Sequence, residues 1–545
     1  MRNIIYKILS GALLLATVFS CSEDVLEVAP YSFTSPENFY KTMQDAELAI
    51  NGCYSVINDG SVNGDGNYDT FGRGLLFMLN AGTDEMVTKS GFGNADYAPW
   101  GLASFTSINK FIKFNWLYWY SGINRVNTLL EHIEDIDMDE ERRIEIKGEA
   151  RFLRGLYHMY LAKMFGAIPI YTDSQADPKK ARQPLNEVYA LIIDDLTFAY
   201  ENLNNRASKI GRANKWTAGG YLAKVYAYLG SCKTFNVGED LGFALNSFSW
   251  VDANDMYAKA LTISTDVVNN SGFILIDEYD NLFRETTSTY QRQESLFMAE
   301  ASEDISINKV NIWVNLLIPQ GNPRIVGGGF GWMRATGELY NIYADGDFRR
   351  THNLTGSIAN NADSEEIDGV RYFKTRKLNN PNQGNYCQGK FRYKDPSQKA
   401  LPFWASGGNL PLLRFADILL IQAEAQYFTG DETSARNTVS LVRTRALEDG
   451  TSVDDLNTAY MKADFVEELL EERSRELAFE CQRRFDLMRF NKFTDAINGL
   501  SPDTGRWNSV VPQLQTNWSA NKIWLPLPLD QTTLNPNLLP NNPGY

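Results

Sequence analysis

Glu472 and Glu476 are the residues of this sequence best spaced for chemistry. Side chains four apart share a helix face, and glycoside hydrolysis uses a carboxylate pair about 5–9.5 Å apart. Their neighbours argue against that role. Arg473, Arg475, Arg483, Arg484 and Asp486 crowd the same stretch. An arginine beside a carboxylate holds it ionised, which works against a general acid. The cluster reads instead as an ion-pair network joining the last helices. The sequence carries no GxSxG, HExxH or GxxxxGKS/T motif. The three histidines, His132, His158 and His352, are far apart. His158, beside Tyr157, is expected in the core.

Aromatic residues are the stronger lead. Sugar rings have apolar C–H faces that can lie on flat rings, while polar neighbours read the hydroxyls. Arg73, Asn80, Asp84, Tyr97 and Trp100 fall in one Gly- and Asn-rich stretch, and Trp313, Trp332 and Trp404 in another. These eight are the expected ligand contacts. Trp116 and Trp119, at the start of a helical segment, are expected in the core. Asp59, Asn63, Asp65, Asn67 and Asp69 alternate through a Gly-rich loop and offer oxygen ligands for a structural calcium ion. Their spacing does not complete an EF-hand, and a solvated polar loop is the plainer reading. No other cofactor is implied.

The elements that must position these residues read as mostly α. Apolar residues at 146, 150, 153, 157, 160 and 164 step by four and three along one helix face. Gly166 and Pro169 stop that helix. Similar patterns cover 114–133, 186–203, 215–230, 254–269, 412–429, 431–447 and 463–480. Ser35-Pro36 suits a first helix start, with that helix running to about 57. Small residues such as Ala416, Ala423 and Ala425 fit close contacts in tetratricopeptide-like hairpins, without a clean 34-residue period. The predicted fold is a tetratricopeptide-like helical-hairpin superhelix with long irregular loops and a few short strands. The helical scaffold is expected at about 37–58, 107–270 and 412–490. Irregular regions at about 59–106 and 271–411 would form the site, since long loops in compact proteins are usually functional.

The N-terminus reads as an export signal. Arg2 and Lys7 precede an apolar run from Ile8 to Phe19, shorter than the roughly 20 residues a membrane span requires. The run ends in Val18-Phe19-Ser20-Cys21, which resembles the lipobox of bacterial lipoproteins. Residues 1–20 would then be a signal peptide, Cys21 the lipidated residue, 21–36 a tether and 37–545 one domain. Ser22-Glu23-Asp24 resembles the acidic signal that sends Bacteroidetes lipoproteins to the cell surface. The formal net charge of -15 disfavours nucleic acid and anionic headgroups and tolerates neutral ligands. Cys53, Cys232, Cys387 and Cys481 show no CxxC spacing. They leave open one or two disulfides or four buried thiols.

Five stretches in chain order resemble one family. They are Ala46–Tyr54; Glu149–Tyr157 continuing to Phe165-Gly166-Ala167-Ile168-Pro169; Leu413–Leu420 ending in Ala423-Glu424-Ala425; Glu472–Glu480 with Arg484, Asp486 and Arg489; and Leu525-Pro526-Leu527-Pro528 with Asn535-Pro536 and the terminal Asn542-Pro543-Gly544-Tyr545. This set resembles the SusD/RagB family of outer-membrane nutrient-binding lipoproteins. Cys481 departs from the glycine more usual after the glutamate. The resemblance implies a non-enzymatic, lipid-anchored cell-surface protein, with four tetratricopeptide-like units beside an irregular ligand-binding portion. It would capture oligosaccharides, or peptides in some members, and pass them to a TonB-dependent outer-membrane transporter. A glycoside hydrolase and a protein-binding scaffold are the readings from other classes.

Overall fold

The computed structural model describes residues 39–58, 70–302, 304, 311, 316–317, 330–356, 364–373, 386–391, 394, 405–502 and 510–545. Cys21, the candidate calcium loop, Trp313 and Trp404 lie outside them.

Helices form the scaffold. The first, α1 (Met43–Tyr54), starts later than Ser35-Pro36 suggests. Tyr40 has φ 58°, and Thr42 and Asp45 cap each other's backbone N–H groups, at 3.3 and 2.8 Å, so the helix nucleates there. A short helix α2 (Leu75–Asn80) follows, and then α3 (Lys110–His132), capped by Asn109. The strongly periodic segment is α4 (Glu140–Phe165), which starts on the Asp139 cap and ends at Gly166 with φ 71°. A Cβ at Gly166 would strike the Asn246 amide, which accepts from Ala167 N at 2.7 Å.

Next come α5 (Leu185–Asn202), α6 (Lys215–Thr234) and α7 (Ala253–Asn270). Each helix from α3 to α7 packs on its sequence neighbours, as in a stack of helical hairpins. α7 passes the stack to α8 (Phe415–Phe428), which packs on α9 (Glu432–Arg443) and α10 (Phe465–Leu477). Beyond α10 lies α11 (Arg483–Arg489). Ala416, Ala423 and Ala425 are fully buried in α8. Gly122 and Gly219 admit even closer approach: a Cβ would lie 2.6 Å from the Tyr157 ring or 2.8 Å from the Tyr200 ring.

Short antiparallel strands stitch the irregular regions to this scaffold. β1 (Met86–Thr88), β3 (Met333–Ala335), β7 (Tyr386–Gln388) and β4 (Leu354–Gly356) form a sheet in the order β1-β3-β7-β4. β2 (Ser295–Ala299) pairs with β8 (Leu410–Arg414), and β5 (Ser364–Ile367) pairs with β6 (Val370–Phe373). The helix expected from 412 therefore starts at Phe415. Residues before it spend their backbone groups on β2, and Arg414, extended at ψ 159°, is the cap.

The C-terminal motif closes the structure as a strap. Leu525 N donates to Met164 O at 2.8 Å. The Asn542 amide, 1 % exposed, donates to Phe165 O at 2.9 Å and accepts from Arg182 at 2.6 Å. A short helix, α12 (Leu529–Leu534), lies within the strap. Cys53, Cys232, Cys387 and Cys481 are all buried free thiols. No helix among the described residues is long and apolar enough to cross a membrane.

Candidate functional site

The two irregular regions meet at the β1–β3 ladder. The register pairs Met86 with Ala335 and Thr88 with Met333. One residue further on, Lys89 N donates to Trp332 O at 2.8 Å, and Trp332 N donates to Leu316 O at 2.9 Å. The backbone of Trp332 is thus held from both sides. A turn through Gly91, at φ 66°, then brings Phe92 over it.

Four rings gather there. Trp332 lies 5.0 Å from Phe92, 4.9 Å from Tyr97 and 5.3 Å from Phe330, between ring centroids. Tyr97 is the foundation: it is buried and packs edge-on against Phe77 and Phe111, each at 4.8 Å. Trp332 and Phe92 are half-buried, and Phe330 is 37 % exposed. A rigid base carrying partly exposed rings presents an apolar, sequence-tolerant face suited to the C–H surface of a sugar.

The other expected contacts divide. Trp100 is corrected to a core residue: it is 1 % exposed and stacks on Phe105 at 4.7 Å. The short helix Ala98–Gly101 turns its ring inward, where no ligand face is offered. Asn80 is fully buried in α2 and accepts from Cys481 N at 3.1 Å. It supports the backbone at Cys481, whose φ of 63° is the left-handed conformation that favours glycine. Asp84 forms an ion pair with Arg483, with oxygens 2.7 and 2.5 Å from its nitrogens. Both are better described as supports than as sugar-reading groups. Arg73 lies half-buried on the π-helical turn Thr70–Gly74.

Phe92 and Phe330 were not among the expected contacts. Both occur in the tripeptide Gly-Phe-Gly, as Gly91-Phe92-Gly93 and Gly329-Phe330-Gly331. A phenylalanine between glycines has no flanking side chains to cover it, and that is the signal that points to them.

The carboxylates with catalytic spacing are structural. Glu472 and Glu476 are fully buried. Glu472 accepts from Arg349 at 2.9 Å, Arg443 at 2.9 Å and Arg475 at 3.0 Å. Glu476 accepts from Arg349 and Arg414, both at 3.0 Å, and Arg445 at 2.8 Å. Burial alone would raise these carboxyl groups. The surrounding guanidinium groups outweigh it, holding Glu476 down at about 2 and Glu472 lower still. Groups locked in the ionised state inside the core cannot protonate a leaving group. His158 is likewise a core residue, with Nδ1 2.9 Å from Arg154 O and its pKa lowered by burial to about 4. Trp116 and Trp119 are buried as expected, at 4 and 0 % exposure. No cluster of His, Cys, Asp or Glu among the described residues could hold a metal ion.

The comparisons with known proteins agree with this architecture. The profile described as "SusD family" matches residues 332–545, and the one described as "Starch-binding associating with outer membrane" matches residues 79–227. SusD-like protein P2 of Formosa agariphila is 27 % identical over 557 aligned residues, covering 99 % of both chains. A SusD homologue from Bacteroides thetaiotaomicron superposes with TM-score 0.71 at 22 % identity, covering 94 % of this chain and 98 % of its own. A "Laminarin binding SusD-like protein" superposes with TM-score 0.66 at 22 % identity, covering 93 % of this chain and all of its own. The chain belongs to the SusD/RagB family. That membership makes it a binding protein rather than an enzyme, in keeping with its arginine-locked carboxylates.

Proposed function

We propose that this protein captures a neutral poly- or oligosaccharide at the bacterial outer surface and delivers it to a partner TonB-dependent transporter. The observation that carries the reading is the cluster of Trp332, Phe92 and Phe330 over Tyr97, held by the β1–β3 ladder. Trp332 and Phe92 come from separate irregular regions of the sequence, and the fold spends backbone hydrogen bonds to bring them together. Laminarin binding by a protein of this fold and the starch-binding description of the family favour glycan over peptide. The net charge of -15 suits a neutral ligand.

In this reading Cys21 carries the lipid, which holds the domain at the membrane without a spanning helix. The residues after Cys21 form the tether, and the transporter receives the captured chain. The test is retention on a panel of immobilised neutral polysaccharides and a peptide mixture, with product analysis of each eluate. Retention by one glycan family without cleavage is expected. Retention by peptides alone, or release of shortened sugars, contradicts the proposal.

A further inference from the structure

A second ring-lined cleft lies on the far side of α3. Trp116, Tyr120 and Asn124 are spaced four apart and form one stripe of that helix. They face the loop Pro169–Pro178 and the C-terminal strap around α12, enclosing a cleft of 280 Å³. Tyr120 lies 4.9 Å from Trp116 and 5.4 Å from Tyr171, standing nearly perpendicular to the latter at 74°. Tyr120 and Phe111, the ring beneath the Trp332 cluster, are nine residues apart, or half a turn round the helix and about 14 Å along it. The two ring clusters therefore face opposite sides of α3.

The cleft is preorganised. Tyr120 Oη donates to Pro169 O at 2.8 Å, fixing its ring. The buried amide of Asn127 donates to Tyr171 O at 3.0 Å and Asp173 O at 3.3 Å, and its oxygen accepts from Arg154 at 3.1 Å. Asn535 Nδ2 donates to Lys180 O at 2.9 Å, tying the strap to the chain just after that loop. By contrast Asn124, Asp173 and Gln531 line the cleft, and their side chains hydrogen-bond no other described residue. The half-buried rings of Tyr120 and Tyr171, with buried Trp116 behind them, stand beside uncommitted amide and carboxylate groups. That is the chemistry that holds a pyranose: ring surface for C–H, acceptors and donors for hydroxyls. No lysine or arginine lines the cleft, and one carboxylate does, so an acidic sugar is disfavoured. The volume falls just below the usual range for ligand pockets, about 300–1,000 Å³, which suits one or two sugar rings.

We infer that this cleft is a second sugar subsite that holds one or two neutral pyranose residues independently of the Trp332 cluster. The inference rests on the glycan-capture reading for its ligand class. Two sites on opposite sides of α3 engage a polysaccharide at separate points, and a linked second contact raises apparent affinity well beyond either alone.

The experiment uses the mature protein in detergent micelles, with malto-, laminari- and xylo-oligosaccharides and their parent polysaccharides as probes in calorimetry. In Trp332→Ala, residual oligosaccharide binding is expected, and adding Tyr171→Ala should abolish it. In the otherwise wild-type chain, Tyr171→Ala or Gln531→Ala should weaken polysaccharide binding at least tenfold, and Tyr171→Phe should restore it. Unchanged thermal melting checks the fold of each variant. Wild-type affinity for every probe in Tyr171→Ala and Gln531→Ala, with binding lost in Trp332→Ala alone, overturns the second subsite and leaves glycan capture standing. A wild-type protein that binds none of the probes removes both.

Discussion

Trp332 is half-buried between Phe92 and the 37 % exposed Phe330, whereas Trp100 is sealed against Phe105. Trp100→Ala should therefore act on stability, by about 3–5 kcal/mol for a buried tryptophan. A melting curve distinguishes it from Trp332→Ala, where the half-buried ring should cost less stability than Trp100 does. The buried charges make a second residue-scale prediction. Glu472, Glu476 and Asp417 have folded pKa values below their unfolded ones, with arginines and Lys224 outweighing burial. Their contribution is complete above the unfolded carboxyl range and is lost as pH falls from about 4.5 towards 2. Glu85 works the other way. Burial and Asp84 raise it to about 7 against the pull of Arg483. Folding then binds a proton that the unfolded chain releases above pH 4.5, so Glu85 lowers stability as pH rises through 4.5–7. Across that window His158, its pKa lowered to about 4, contributes the opposite slope, so denaturation of Glu85→Gln should show stability rising more with pH than in wild type. An unchanged slope would remove Glu85 from the account.

The helices are held at close range by residues without side chains. Gly219→Ala places a Cβ 2.8 Å from the Tyr200 ring and should cost about 1–3 kcal/mol, read by denaturant midpoint. Asn542→Ala removes the amide that joins the strap to the end of α4, leaving Phe165 O and Arg182 short of a partner, at a similar cost. These helices were legible because each shows its own apolar period and stop signal, as α4 does with Gly166 and Pro169. Strand β8 was not. Its apolar run continues straight into α8, and only pairing with β2, more than a hundred residues earlier, decides where strand ends and helix begins. The site was half legible for the same reason. Aromatic identity marks Tyr97, Trp332 and Trp100 alike, but exposure does not appear in a sequence, and only the fold shows Trp100 buried. The meeting of Phe92 with Trp332 depends on a long-range ladder.

At the scale of the whole molecule, the buried arginine–glutamate network and the helical stack form a scaffold on which β1 and β3, one from each irregular region, bring Phe92 and Trp332 together. In the proposed role that scaffold is tethered through Cys21. Cys21→Ser should move the protein from the membrane fraction to the soluble fraction without altering its glycan affinity. Continued membrane association of that variant would contradict the anchor. The central claim is that the Trp332 cluster binds sugar. It is tested most directly by titrating wild type and Trp332→Ala, at matched thermal stability, with the polysaccharide that the wild-type protein retains. The account predicts a loss of at least tenfold in affinity, about 1.4 kcal/mol. Equal affinity in the two proteins would contradict it.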